Sequence, residues 1–105
     1  MNILFICSRN KWRSTTAEAI YKNHPVHQIQ STGTEPSARI KINSKHILWA
    51  DLIFVMEKRH KQRISEKFQY EIINKEIVVL NIPDDYQYMD EELIEELNAK
   101  VLDYL

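Results

Sequence analysis

The stretch Ile3–Tyr21 reads ILFICSRNKWRSTTAEAIY, and its three parts decide the fold. Ile3–Ile6 is a continuous apolar run without polar alternation, which suits a strand buried on both faces. Cys7–Ser14 is a polar connection with a cysteine at one end and Arg13-Ser14 at the other. Beyond it, Ala17, Ile20, Tyr21 and His24 fall at i, i+3, i+4 and i+7, the spacing of one helix face. A buried strand that feeds a helix through a short loop opens a parallel, helix-covered sheet. Outward from this unit the alternation continues. Leu52–Met56 (LIFVM) and Ile77–Leu80 (IVVL) are further apolar runs, and His27–Gln30 is a weaker one. His60, Ile64 and Phe68 fall four apart, and Leu93, Ile94, Leu97, Val101 and Leu105 make the clearest helical stripe. These patterns predict strands at 2–7, 27–31, 51–56 and 77–81, and helices at 14–23, 44–48, 58–67 and 90–104. The expected class is α/β. Gly33 is the only glycine of the chain and is expected to supply a positive φ in the turn after the second strand.

Length and composition narrow the field. One domain spanning 1–105 is expected, because 105 residues suffice for a single core and not for two. With 44% hydrophobic residues, one Gly and three Pro, the chain is neither disordered nor collagen-like. No apolar run approaches a membrane span, and Ile3–Cys7 is too short for a signal-peptide core. A single cysteine forms no internal disulfide and no metal cage, which points to a reducing cytoplasm. The four histidines have no thiol or carboxylate partners at metal-ligand spacing, so no metal or other cofactor is expected. The formal net charge is −1, so the molecule is no nucleic-acid polycation. Charge is nonetheless segregated. Lys58, Arg59, Lys61, Arg63 and Lys67 crowd one helix, while Asp84–Glu96 holds only acids among its charged residues. Two solvated helix faces account for this most simply.

In an open parallel sheet, ligands bind beyond the carboxyl ends of the strands. That places Cys7, Ser31–Thr34, Glu57 and Asp84 along one edge. The loop Cys7–Ser14 enters a helix, with Ser14 or the Thr15-x-x-Glu18 pattern as its cap. Free N–H groups and the dipole at such a terminus favour an anion. The backbone of Ser8, Arg9, Asn10, Lys11 and Trp12 is expected to curl around that anion. Arg13 returns to the mouth with a planar fork matched to two oxygens of a tetrahedral dianion. The same positive groups favour the thiolate of Cys7, an in-line nucleophile toward bound phosphate. Ser14 is placed to hydrogen-bond the sulfur as it leaves.

The stretch resembles the low-molecular-weight protein tyrosine phosphatase family, whose signature is a strand, Cys-x5-Arg-Ser and a helix. It is most similar to the short stand-alone prokaryotic members. The resemblance implies a three-layer sandwich around a four-stranded parallel sheet of order 2-1-3-4, and cofactor-free hydrolysis of phosphomonoesters. It also implies Cys7 as nucleophile, Arg13 as phosphate clamp, Ser14 as thiolate partner and Asn10 as the brace of the loop, a residue type that tolerates a positive φ. The sequence departs from the family pattern at Arg9, often Gly, at Trp12, often a second Cys, and at Thr15, often Pro. The loop disulfide that the second Cys permits in the family is therefore not available here.

Cleaving a phosphate ester also requires a proton for the leaving oxygen. The resemblance implies an Asp after the last strand, usually followed by Pro and an aromatic residue. Ile82-Pro83-Asp84-Asp85-Tyr86 is the matching segment. Aligning the aromatic residue on Tyr86 makes Asp84 the acid, with Asp85 the alternative. Tyr86, Tyr88 and Trp12 are candidates for the wall of an aryl slot. The expected activity is hydrolysis of phosphotyrosine or another aryl phosphate, on a protein or a small molecule, fastest below neutrality. A non-catalytic phosphate- or phosphopeptide-binding module and a phosphocarrier subunit are the alternatives, with neither nucleic acid nor membrane as partner.

Overall fold

The computed structural model describes residues 1–105. Its elements in chain order are β1 (Asn2–Cys7), α1 (Arg13–Tyr21), β2 (Gln28–Gly33), α2 (Ser44–Trp49), β3 (Leu52–Val55), α3 (Lys58–Lys67), β4 (Glu76–Val79) and α4 (Glu91–Val101), closed by a 3₁₀ turn over Leu102–Tyr104. The four strands form one parallel sheet in the order β2-β1-β3-β4. This is the α/β class and the strand order that the sequence implied.

The apolar runs of β1 and β3 form the two central strands because successive side chains find cores on opposite faces of the sheet. Ile3, Phe5 and Cys7 point to the side covered by α1 and α4, where Ala17, Tyr21, Leu93, Leu97 and Val101 pack. Leu4 and Ile6 point to the other side, toward Ile47, Ile53, Val55, Ile64 and Phe68. Ile3–Ile6 are fully buried. Phe5 stacks between Tyr21 and Phe54, with ring centroids 5.9 and 5.1 Å away. Truncating such a ring to Ala costs on the order of 3–5 kcal/mol, so β1 is the element around which the sheet is anchored.

One boundary and the role of one residue depart from expectation in ways that matter for the site. Strand β2 runs on through Gly33, because β1 pairs with it residue for residue up to Cys7 opposite Gly33. Gly33 does not take a positive φ. It is required for another reason: a Cβ there would lie 2.6 Å from the Ser8 carbonyl oxygen and 2.8 Å from the Asn10 nitrogen. Close approach of two backbones, not a left-handed turn, selects glycine. The left-handed positions are Asn10, Asn81 and Met89, with Asn10 at φ 54°. No helix is long and apolar enough to cross a membrane.

Candidate active site

Cys7 ends β1 at the carboxyl edge of the sheet, and helix α1 begins at Arg13. The expected caps do not form. Trp12 is the N-cap and carries no side-chain capping bond. Thr15 Oγ1 instead donates back to the carbonyls of Lys11 and Trp12, and Thr16 Oγ1 to that of Trp12.

Between strand and helix the backbone is polarised. The Cys7 and Ser8 carbonyls accept from the N–H groups of Thr34 and Glu35, at 3.0 and 2.8 Å. The Arg9 carbonyl accepts from Arg39 N at 3.0 Å, and the Asn10 carbonyl from Arg39 Nε at 3.4 Å. Every carbonyl from Cys7 to Trp12 thus has a partner on the outside of the loop. The N–H groups of Ser8 through Trp12 donate to nothing in the chain. A run of free amide donors with their carbonyls tied back is an anion-binding concavity. The narrow cleft it surrounds, about 50 Å³, is lined by Cys7, Ser8, Arg9, Lys11, Trp12, Arg13 and Asp84. A larger groove of about 320 Å³ between α3 and residues 34–42 is lined by neither cysteine nor histidine.

Arg13 is 2% exposed, and its guanidinium is held by one nitrogen. Nη1 donates to Glu57 Oε2 at 2.5 Å and to the Ile82 carbonyl at 2.9 Å. That uses both of its protons and leaves the Nε and Nη2 edge, a planar fork of three N–H groups, for a ligand. Asp84 Oδ1 lies 3.7 Å from Nε, at the mouth of the same cleft. Glu57 also accepts from Arg59 Nη2 at 3.0 Å. Burial alone would raise the Glu57 pKa, but hydrogen bonds and charge from Arg59 and Arg13 prevail and hold it at about 2. Glu57 is therefore a permanent anion that fixes Arg13.

A second network fixes the sulfur. Ser31 Oγ donates to Glu18 Oε1 at 2.6 Å. Because Glu18 takes that proton, Ser31 must accept from Asn10 Nδ2, at 2.9 Å, which sets the orientation of the Asn10 amide. The same Nδ2 donates to Ser14 Oγ at 2.8 Å. Ser14 therefore has its own proton free to donate to Cys7 Sγ, 3.0 Å away and nearer than the Thr32 carbonyl at 3.4 Å. One carboxylate at the far end fixes the polarity of this chain as far as Ser14 Oγ, which accepts from Asn10 and keeps its own proton. On the other flank, Ser8 Oγ lies 2.9 Å from Nε2 of the buried His60, whose Nδ1 accepts from Glu57 N at 3.0 Å.

The structure brings Cys7, Ser8, Arg9, Lys11, Trp12, Arg13 and Asp84 to one cleft, with Ser14 touching the sulfur from behind. The Asn10 side chain braces the loop from outside the cleft. Asp85 does not line the cleft. Tyr86, expected as a wall, is directed elsewhere: it packs on the core beside α4, near Glu92 and Glu96, because the chain turns toward that helix after Asp85. Trp12 is the aromatic residue at the mouth, with Lys11 Nζ 4.8 Å from its ring. Tyr88 lines a separate groove with Lys11 and Arg39. No group of histidines, cysteines and carboxylates is arranged to hold a metal.

Four residues with contacts to this machinery carried no part in its chemistry in the sequence: Glu18, expected only as a helix cap, Ser31, Glu57 and His60. Three of them had a signal. Ser31 and Glu57 stand at strand ends on the predicted edge, and His60 is a polar residue on the otherwise apolar stripe of α3.

No protein-family model and no curated protein matches the sequence. Solved structures do. SP-PTP, the low molecular weight protein tyrosine phosphatase from Streptococcus pyogenes, superimposes with a TM-score of 0.82 at 20% identity, covering 99% of this chain and 90% of that one. The tyrosine phosphatase Wzb from Escherichia coli K30, in complex with phosphate, gives 0.78 at 22% identity over 98% and 94%. The YwlE arginine phosphatase from Geobacillus stearothermophilus gives 0.69 at 20% identity over 98% and 94%. The chain has the low-molecular-weight tyrosine phosphatase fold. The match covers nearly all of this chain and nine-tenths or more of each of those three.

Proposed function

We propose that the chain is a cysteine-dependent phosphomonoesterase that hydrolyses phosphotyrosine or another aryl phosphate, on a protein or a small molecule, in the reducing cytoplasm. The observation that carries this reading is the polarised loop, with five successive free N–H groups and the open edge of Arg13 around one sulfur. The phosphate oxygens take the amides and the guanidinium fork, which puts phosphorus in front of Cys7 Sγ. The thiolate attacks phosphorus, the P–O ester bond breaks, and the leaving oxygen takes a proton from Asp84. Water then attacks the cysteinyl-phosphate, giving its proton back to Asp84, and the S–P bond breaks to release inorganic phosphate. Ser14 donates to the thiolate as it departs. Asp84 is preferred over Asp85 as the acid because it lines the cleft.

A module that merely held phosphate would have no use for the hydroxyl donated to the sulfur, and a phosphocarrier would have to shield its phosphoryl group from water. The likeness to tyrosine and arginine phosphatases supports hydrolysis and leaves the substrate side chain as the quantity to measure. The test is release of phosphate from p-nitrophenyl phosphate, phosphotyrosine peptide and phosphoarginine peptide in the presence of a chelator. Vanadate-sensitive turnover that is lost in Cys7→Ser, with inorganic phosphate still bound, is expected. Turnover that survives in Cys7→Ser would overturn the proposal.

A further inference from the structure

The first turn of α3 touches both ends of the loop that surrounds the cleft, by two different atoms of one residue pair. At the far end, the Glu57 carboxylate holds Arg13. At the near end, the Glu57 N–H donates to His60 Nδ1, and His60 Nε2 faces Ser8 Oγ, next in sequence to the nucleophile. The first of these contacts settles the tautomer. Nδ1 accepts, so the imidazole proton sits on Nε2 and is donated to Ser8. Ser8 Oγ has no other partner in the chain and Ser8 is one of the residues that line the cleft, which leaves its own proton for a ligand there.

We propose that His60 is a positioning residue that turns the Ser8 hydroxyl into an oxyanion donor, adding one side-chain O–H to the backbone amides that hold the substrate phosphate. The inference rests on the phosphatase reading for its substrate and on the hydrogen-bond geometry for everything else. The charge state of His60 agrees with it. Burial, then the positive charges of Arg13 and Arg59, with Arg63 adding and Glu57 opposing, hold its pKa at about 4, so the ring stays neutral and the tautomer fixed at physiological pH. The arrangement also explains why a histidine stands on the apolar face of α3, where it is 1% exposed in line with Ile64 and Phe68.

Two substitutions separate the two bonds. In His60→Asn, Oδ1 can still accept from Glu57 N–H but the side chain is too short to reach Ser8. In His60→Gln, the terminal amide reaches Ser8. With p-nitrophenyl phosphate as substrate, His60→Asn and Ser8→Ala should each lower kcat/KM about tenfold, the cost of one lost hydrogen bond. The double variant Ser8→Ala/His60→Asn should be no worse than the weaker single, and His60→Gln should recover most of the rate. Losses that multiply to about a hundredfold, or no loss in His60→Asn, would overturn the proposal. Should the His60 variants fail to fold, the wild-type protein decides. ¹⁵N spectra at pH 6.5 should show a neutral Nε2–H tautomer whose proton resonance shifts on titration with inorganic phosphate, and an Nδ1–H tautomer would refute it. The same cycle read as phosphate affinity keeps the two proposals apart. Non-additive loss of phosphate binding without any turnover would refute the phosphatase and leave the role of His60 standing, whereas turnover with multiplying losses would do the reverse.

Discussion

Gly33 has no room for a methyl group, and that single restriction lets the loop around the cleft sit against the end of β2. Its missing side chain lets β2 lie against Ser8 and Asn10, with Ala38 Cβ a further 2.7 Å neighbour of any added carbon. Gly33→Ala must push the loop outward, and displacing a catalytic loop by about an ångström costs on the order of a hundredfold in rate. Steady-state assays should show that loss, and a variant within twofold of wild type would contradict the geometry. The role of Gly33 was not legible in the sequence, because a lone glycine after a strand reads first as a turn. Asn10 was legible: a residue type that tolerates positive φ sits where φ is 54°. Asp84 was one of two neighbouring candidates in the sequence, and of the two it is the one that lines the cleft. Asp84→Asn should slow alkyl and other poor leaving groups about a hundredfold more than p-nitrophenyl phosphate, whose leaving group needs little protonation. Asp85→Asn should leave that comparison unchanged. Equal losses for both substrates in Asp84→Asn would assign the proton to another group.

Helix α3 shows what periodicity reveals and what it hides. Its span, Lys58–Lys67, is where the spacing of His60, Ile64 and Phe68 predicts it. The reason its first turn matters lies outside any local pattern, since Glu57 and His60 meet the loop across 44 and 52 residues of sequence. The same limit applies to β2, whose weak apolar character hid its last two residues until pairing with β1 supplied them, and to Glu18, which serves Ser31 rather than the expected cap. Glu57→Gln removes the charge that fixes Arg13 while keeping the shape. It should lower kcat/KM for p-nitrophenyl phosphate at least about tenfold with an unchanged far-ultraviolet spectrum. Wild-type activity in that variant would show that Arg13 needs no anchor. The buried imidazole also gives the fold a pH dependence. The folded-state pKa of His60 is about 4, below the ordinary 6.5, so the unfolded chain binds the extra proton between those values. Stability from this group is complete above pH 6.5 and is lost as pH falls toward 4, and the burial of His46 acts in the same direction. The urea midpoint should therefore drop between pH 7 and pH 5, and drop less in His60→Asn. An equal drop in both proteins would mean that His60 is not the group responsible.

Across the whole molecule, the two charge blocks of the sequence lie on opposite faces of the sheet, basic α3 over one core and acidic α4 over the other. All five α3 cations are exposed, as the simplest reading of their run implied. Arg59 and Arg63 are in addition paired, with Glu57 and Glu35. With Arg9 and Lys11 at the mouth, the entrance is cationic even though the chain as a whole is not. Encounter with a dianionic substrate should therefore weaken with salt, and kcat/KM should fall several-fold as the screening length shrinks to about 8 Å at physiological ionic strength. An increase with salt would place the negative face at the entrance instead. The architecture as a whole was legible because three of the four strands read as continuous apolar runs set between helical patterns. The site was legible as far as the residues that neighbour Cys7 in sequence. The claim on which the rest depends is that a sulfur ringed by free amides becomes bonded to phosphorus during turnover. Rapid quenching of Asp84→Asn with ³²P-labelled aryl phosphate, followed by peptide mapping, measures this directly. The account predicts label on the peptide that contains Cys7, formed and consumed at rates that match turnover. Turnover with no label at Cys7, or label on any other residue, would contradict it.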